Sequence, residues 1–226
     1  MTATVPRSLV KPSSLSAQAK HALRARIITG EIGVDQIYSV PSLAASFGVS
    51  ATPVREAMVE LVSDGLVEVV ANQGFRVVQL TEHDLDEIFQ VRLMLEVAGM
   101  VEVARHSIGA RVMKRYALIA RQIEKCADTD DEVGFIQTDR AFHLGLLGCL
   151  GNTRLVDIVA RLRDQTRLYG VPALGKRGEL HHTAREHAEL VTAVEAQDLD
   201  LVASTVKRHL EHTRGIWANA AGSELR

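Results

Sequence analysis

The sequence predicts a mainly α protein in two parts: an N-terminal winged helix-turn-helix, α-helical with a small β-hairpin wing, and then an all-helical bundle. Three observations carry this prediction. Leu43-Ala44-Ala45-Ser46-Phe47-Gly48-Val49 and Ser50-Ala51-Thr52-Pro53-Val54-Arg55-Glu56-Ala57-Met58 read as two short helices joined by a tight glycine turn, the layout of a helix-turn-helix. Asp64-Gly65 then ends the second of these helices, and Leu66 to Val70 and Phe75 to Val78 read as two strands joined by Ala71-Asn72-Gln73-Gly74. No strand pattern appears after Val78, where the apolar residues keep helical spacing.

Taken in order, residues 1–14 lack an apolar signal core, contain Pro6 and Pro12, and read as a flexible tail. The first domain is expected over residues 15–79. Its first helix spans Ser16 to Thr29, with Leu15, Ala19, Leu23 and Ile27 on the apolar side. Lys20, Arg24 and Arg26 lie on other faces and suit either phosphate contact or a solvated surface. Ser50 is placed to N-cap the third helix with its hydroxyl, and Pro53 falls in the first turn, where its missing N–H costs nothing. Val54, Ala57, Met58 and Leu61 form one apolar face. Thr52 and Arg55 point away from it, toward a DNA groove. The candidate DNA contacts are therefore Ser50, Ala51, Thr52 and Arg55 on this helix, and Asn72, Gln73 and Gly74 at the wing. A small α+β core without nucleic acid is the alternative.

The second domain is expected over residues 80–222. Thr81-Glu82-His83-Asp84 resembles a capping box and opens a long helix to about His106, apolar on more than one face and so expected between other helices. Further helices are expected at Ala110 to Cys126, Glu132 to Leu150, Thr153 to Tyr169, Leu180 to Ala196 and Leu199 to about Ala220, with Asn152 and Asp198 as N-caps. Gly170 to Gly178, with Pro172, reads as the one clear loop.

Nine histidines stand in this chain. Asp139 and His143 are spaced i,i+4 and share one helix face; His187 and His209 lie in mid-helix on two later segments. A carboxylate and imidazoles converging in a bundle core can hold a divalent metal. Three imidazoles and one carboxylate suit zinc or nickel, with manganese or iron as further choices. Ordinary hydrogen-bonded core histidines are the alternative. His21, His83, His106, His181, His182 and His212 read as surface or cap residues. Arg92, inside an otherwise apolar helix, suits a bidentate clamp on a carboxylate effector or an i,i+4 ion pair with Glu96; Arg163 and Tyr169 are further effector-pocket candidates.

The formal net charge is −2, and hydrophobic and charged residues make up 46% and 24% of the chain. That is ordinary globular composition, without the excess of positive charge that coats nucleic acid nonspecifically. The chain through Val78 holds 7 basic and 6 acidic residues. Phosphate contacts supply much of DNA affinity, so so little charge argues for a homodimer that doubles them. No apolar run reaches the length of a membrane span. Cys126 and Cys149 form no CxxC pair and read as thiols of a reducing, cytoplasmic setting.

Gly48-Val49-Ser50, Thr52-Pro53-Val54-Arg55-Glu56-Ala57 and Asp64-Gly65-Leu66-Val67 together resemble the winged helix-turn-helix of GntR-type bacterial transcription regulators. Phe75-Arg76-Val77, Leu80-Thr81, Asp84-Leu85, Val91-Arg92 and Leu95-Glu96 are similar to the junction into the effector domain of the FadR-like subgroup. Two departures stand out: Ala51 and Ser42-Leu43 occupy places where the family usually has an Arg and a Glu-Arg pair, and both arginines contact DNA there. The resemblance implies Asp139, His143, His187 and His209 as a metal set. It further implies a homodimeric repressor on a double-stranded operator with a short inverted repeat, responsive to a small organic acid. A helical metal-dependent hydrolase or lyase with a DNA-binding appendage is the rival; the sequence offers it no assignable general base.

Overall fold

The computed structural model describes residues 14–177 and 180–221, with side chains over 14–166 and 180–214. The proposed tail falls almost wholly outside this range. Two compact units divide at residue 78, and each is described by itself.

The first unit holds α1 (Leu15–Ile28), β1 (Ile37–Tyr38), α2 (Val40–Phe47), α3 (Ala51–Ser63), β2 (Val67–Val70) and β3 (Gly74–Val77). Ala19, Leu23 and Ile27 of α1 are buried as their spacing requires, whereas Leu15 is 59% exposed, since it begins the helix. Gly48, at φ 65°, ends α2 in the left-handed conformation, which glycine adopts without a Cβ penalty. Val54, Ala57, Met58 and Leu61 all face the core. Ser50 is the N-cap of α3 by position, but its side chain makes no capping hydrogen bond.

The sheet order is β1-β3-β2, antiparallel throughout. β1 escapes a sequence reading because two residues cannot display an alternation. It pairs Ile37 with Arg76 and Tyr38 with Phe75. That pairing fixes the role of Gly74: at φ 142° it lies against β1, and a Cβ there would collide with the Tyr38 carbonyl oxygen. Asn72, at φ 60°, makes the left-handed residue of the hairpin turn, a conformation asparagine tolerates better than most.

The second unit is wholly helical: α4 (Glu82–Arg92), a π-helical turn (Leu93–Val97), α5 (Ala98–Arg105), α6 (Ala110–Asp128), α7 (Glu132–Gly148), α8 (Thr153–Arg177), α9 (Leu180–Glu195) and α10 (Leu199–Ala221). Thr81 and Asp84 form a reciprocal capping box, with the Thr81 N–H 2.8 Å from the Asp84 carboxylate. Asn152 and Asp198 cap α8 and α10 through the N–H groups of Leu155 and Leu201, at 3.1 and 3.0 Å. The long first helix is not buried all round: Val91 and Met94 are 41% and 71% exposed. The loop expected from Gly170 is helix through Arg177. A helical glycine costs about 1 kcal/mol and a proline about 3 relative to alanine, which weakens a helix without always ending it. Gly178 itself lies outside the described residues.

Gly74→Ala should lower the stability of the first unit by about 1–3 kcal/mol, read by urea unfolding. An unchanged midpoint would show that β1 does not press on β3 in solution.

Candidate functional site

In the first unit, α3 projects Thr52 and Arg55 into solvent, with Ala51 half-buried and Ser50 exposed. Asn72 and Gln73 are exposed at the wing, and Gly74 is half-buried under its packing constraint. Lys20 binds Glu60 and Asp64 at 2.8 and 3.0 Å, Arg24 binds Asp64 at 2.7 Å, and Arg26 binds Glu31 at 2.7 Å. Lys20 and Arg24 thus brace α1 against α3, and Arg26 ties the end of α1 to the turn that follows it. Among the described Lys and Arg side chains of this unit, Arg55 is the one without a carboxylate partner. Its guanidinium is therefore available to a ligand at no electrostatic loss to the fold.

In the second unit, α7, α9 and α10 each bury one face. Phe135, Phe142, Leu146 and Leu147 pull α7 inward, carrying Asp139 and His143 with them. Leu190, Val191 and Val194 do the same for His187, and Val202, Val206 and Leu210 for His209. Each of Asp139, His143, His187 and His209 offers one ligand atom, and these atoms lie within 4.8 Å of one another. The four residues are 7% exposed or less. Phe142 sets its edge against the rings of His143 and His187 at 5.2 and 4.9 Å.

The hydrogen bonds fix which nitrogens face inward. His187 Nδ1 lies 3.1 Å from the carbonyl oxygens of both Thr183 and Ala184, so Nδ1 carries the proton. The other ring nitrogen, Nε2, faces Asp139 Oδ1 and His143 Nε2, each 3.1 Å away. His209 Nδ1 donates to Glu186 Oε2 at 2.9 Å, which turns its Nε2 inward as well. Three ring nitrogens and a carboxylate oxygen thus converge in a buried interior. One proton can bridge one of these contacts; a cation answers all of them. Ligand atoms on a metal with bonds of about 2.1 Å sit roughly 3.0–3.4 Å apart, as His187 Nε2 does from Asp139 and His143. The donor set fits a divalent transition metal, and Glu186 and the two carbonyls supply the outer hydrogen bonds that orient ligating histidines.

Arg163 Nη1 reaches Asp139 Oδ2 at 3.0 Å, and its Nε reaches Glu96 Oε2 at 2.9 Å. Arg92 Nε donates to Glu96 Oε1 at 2.6 Å, and its Nη1 lies 3.4 Å from Thr166 Oγ1. Of the two readings of Arg92, the ion pair with Glu96 is the one this geometry supports. Both guanidiniums face carboxylates of the protein itself. Burial would raise the Glu96 pKa, but the guanidiniums of Arg163 and Arg92 hold it below the usual carboxylate range. The side chain of Tyr169 lies outside those described.

Sequence reasoning missed Glu186, which is 2% exposed and also meets His212 Nδ1 at 2.7 Å and Arg208 Nε at 3.2 Å. Burial raises its pKa, yet the hydrogen bond from His209 and the neighbouring positive charges bring it down to about 2. The available signal was a glutamate on the same helical stripe as Thr183, Leu190 and Val194. His212 is accordingly half-buried rather than a free surface residue.

A winged helix-turn-helix followed by a helical bundle defines a DNA-binding regulator of transcription. Residues 15–77 match the bacterial regulatory proteins of the gntR family, and residues 87–212 match the FCD domain. The chain belongs to the GntR family, in the FadR-like subgroup whose members carry an FCD domain. It is similar to the HTH-type transcriptional regulator YdhC of Bacillus subtilis, at 25% identity over 90% of this chain and 91% of that protein. It is also similar to the gluconate operon transcriptional repressor of Bacillus licheniformis, at 24% identity over 93% and 88%. The solved structure of McbR/YncC from Escherichia coli shares the fold, with a TM-score of 0.81 and 21% identity over 92% of this chain and 99% of that one. The family is one of regulators, and the protein is a transcription regulator, not an enzyme.

Burial lowers the pKa of His143 well below 6.5, reinforced by the Arg163 charge. Burial also lowers His209, against the pull of Glu186. In metal-free protein these rings stay neutral while histidines of the unfolded chain, near 6.5, take up protons. Their contribution to stability is complete above about pH 6.5 and is lost as the pH falls below it. The melting temperature of chelator-treated protein should therefore drop from pH 7 to pH 5, and a flat profile in differential scanning calorimetry would contradict these environments.

Proposed function

We propose that the protein is a homodimeric repressor in the cytoplasm that binds a double-stranded operator with a short inverted repeat. Its second unit holds a divalent transition metal, zinc or nickel before manganese or iron, and the metal's open positions receive a small carboxylate effector. The observation that carries this reading is the convergence of Asp139, His143, His187 and His209, with ring nitrogens turned toward a carboxylate oxygen. The repressor names of relatives such as the gluconate operon transcriptional repressor support the sign of regulation. No helix among the described residues is long and apolar enough to cross a membrane.

The formal charges of Arg92, Arg163, Glu96 and Asp139 cancel, so attraction for an anion falls to the metal. Arg92 and Arg163 act from behind, holding Asp139 and the π-helical turn in place. A ligand shifts the balance between DNA-bound and released states only by its differential affinity for them. The direct test measures binding of the purified protein to promoter fragments of its neighbouring genes, with metal-loaded and chelated protein and a panel of small organic acids. Modulation by an acid only in the loaded protein supports the reading; equal modulation in both forms overturns it.

Ser50, Ala51, Thr52, Arg55, Asn72 and Gln73 form the proposed DNA face, with Gly74 shaping the wing. Arg55→Ala should weaken operator binding by about 1–3 kcal/mol and relax preference at one base pair. A panel of single-base operator variants reads this out. Loss that is uniform across the panel would reduce Arg55 to a phosphate contact.

A further inference from the structure

Among the buried hydroxyls described in the second unit, that of Thr205, a residue 1% exposed, lacks a hydrogen-bond partner. Four other helical threonines of this unit behave differently. Thr138 Oγ1 bonds the Gly134 carbonyl at 2.7 Å, Thr166 the Arg163 carbonyl at 3.1 Å, Thr192 the Ala188 carbonyl at 3.1 Å and Thr213 the Leu210 carbonyl at 2.8 Å. This back-bonding is the ordinary resting place of a hydroxyl inside a helix. A buried hydroxyl without it is destabilising unless something else meets it.

The position of Thr205 relates it to the cluster. It lies four residues before His209 on α10, hence on the same helix face. Helical side chains lean toward the N-terminus, so the His209 ring lies over the turn that carries Thr205. The remaining buried neighbours on this face, Val202, Val206 and Leu210, are apolar. The ring of His209 is held from its far side by Glu186 at Nδ1 and turns Nε2 toward the cluster. The arginines of this region are already matched to Glu96 and Asp139.

Resting on the metal reading above, we propose that Thr205 is the residue that selects the ligand at the metal. Its hydroxyl hydrogen-bonds the oxygen atom that fills an open position, water in the resting state and a carboxylate oxygen when an anion replaces it. A hydroxyl both donates and accepts, so it serves either oxygen ligand. An apolar or sulfur ligand gains nothing from it. Thr205 is thus a specificity residue rather than a metal ligand, and it acts on the second ligand while leaving metal affinity alone.

The test uses the full-length protein loaded with cobalt(II), whose visible absorption reports a change of ligand. Acetate is titrated into wild type, Thr205→Ser and Thr205→Val, the last keeping the shape without the hydroxyl. Wild type and the Ser variant should shift their bands at similar acetate concentrations. The Val variant should need about tenfold to a hundredfold more acetate, with an unchanged cobalt stoichiometry and dissociation constant. Should the Val variant fold poorly, Thr205→Ala gives the same readout. A wild type that takes no cobalt overturns the metal reading and this inference with it. A wild type that takes cobalt and either ignores acetate or matches the Val and Ala variants overturns the Thr205 assignment alone.

Discussion

Inside the helical unit, ring nitrogens and a carboxylate oxygen approach to 3.1 Å in a region with almost no access to water. Polar groups buried in that way are unfavourable unless something of opposite sign joins them. The surroundings make this arrangement hard to relax. His187 is pinned by two carbonyls of its own helix, His209 by Glu186, and Asp139 by the Arg163 guanidinium. Side chains fixed from behind cannot turn aside, so they present a preorganised ligand set. The rest of the bundle follows from this constraint: α7, α9 and α10 must each bury the face that carries a donor.

A second layer of charge ties the remaining helices to the cluster. Glu96 sits in the π-helical turn, at 0% exposure, between Arg92 and Arg163. The extra residue in such a turn rotates the helix face that follows, and here it accompanies a carboxylate placed against two guanidiniums. Arg163 then connects Glu96 to Asp139, so α4, α7 and α8 share one buried network. Removing a single member of such a network leaves an uncompensated charge in the interior, a loss of about 3–5 kcal/mol. The network therefore couples the state of the cluster to several helices at once. That is the property the proposed sensing role needs, because a ligand at the centre would change contacts that reach the periphery.

Much of this was legible in the sequence. The face of α3 is set by Val54, Ala57, Met58 and Leu61 at helical spacing, and the hairpin by Gly65 and the Asn72 turn, all local signals that tertiary contacts reinforce. Asp139 and His143 were readable as a pair because i,i+4 spacing is itself geometry. His187 and His209 could be named as mid-helix imidazoles; what brings them to Asp139 and His143 is packing, since His209 lies 66 positions beyond His143. The outer partners were less visible. Glu186 looks like a solvated charge until its stripe is counted, and Arg92 carries the same pattern whether it meets Glu96 or a ligand. β1 is too short to signal itself, and the end of α8 misleads because glycine and proline weaken a helix without always ending it. The sequence pattern does not distinguish Thr205, whose hydroxyl is unusual only by the bond it lacks.

The claim on which the account turns is that these four side chains hold one cation through three imidazole nitrogens and one carboxylate oxygen. X-ray absorption spectroscopy of the zinc-loaded, untagged protein addresses it directly. The account predicts one zinc per chain, a first shell of nitrogen and oxygen at about 2.0–2.1 Å with no sulfur, and the multiple-scattering signature of three imidazoles. Failure to retain zinc, or a shell with sulfur or fewer than three imidazoles, would contradict it.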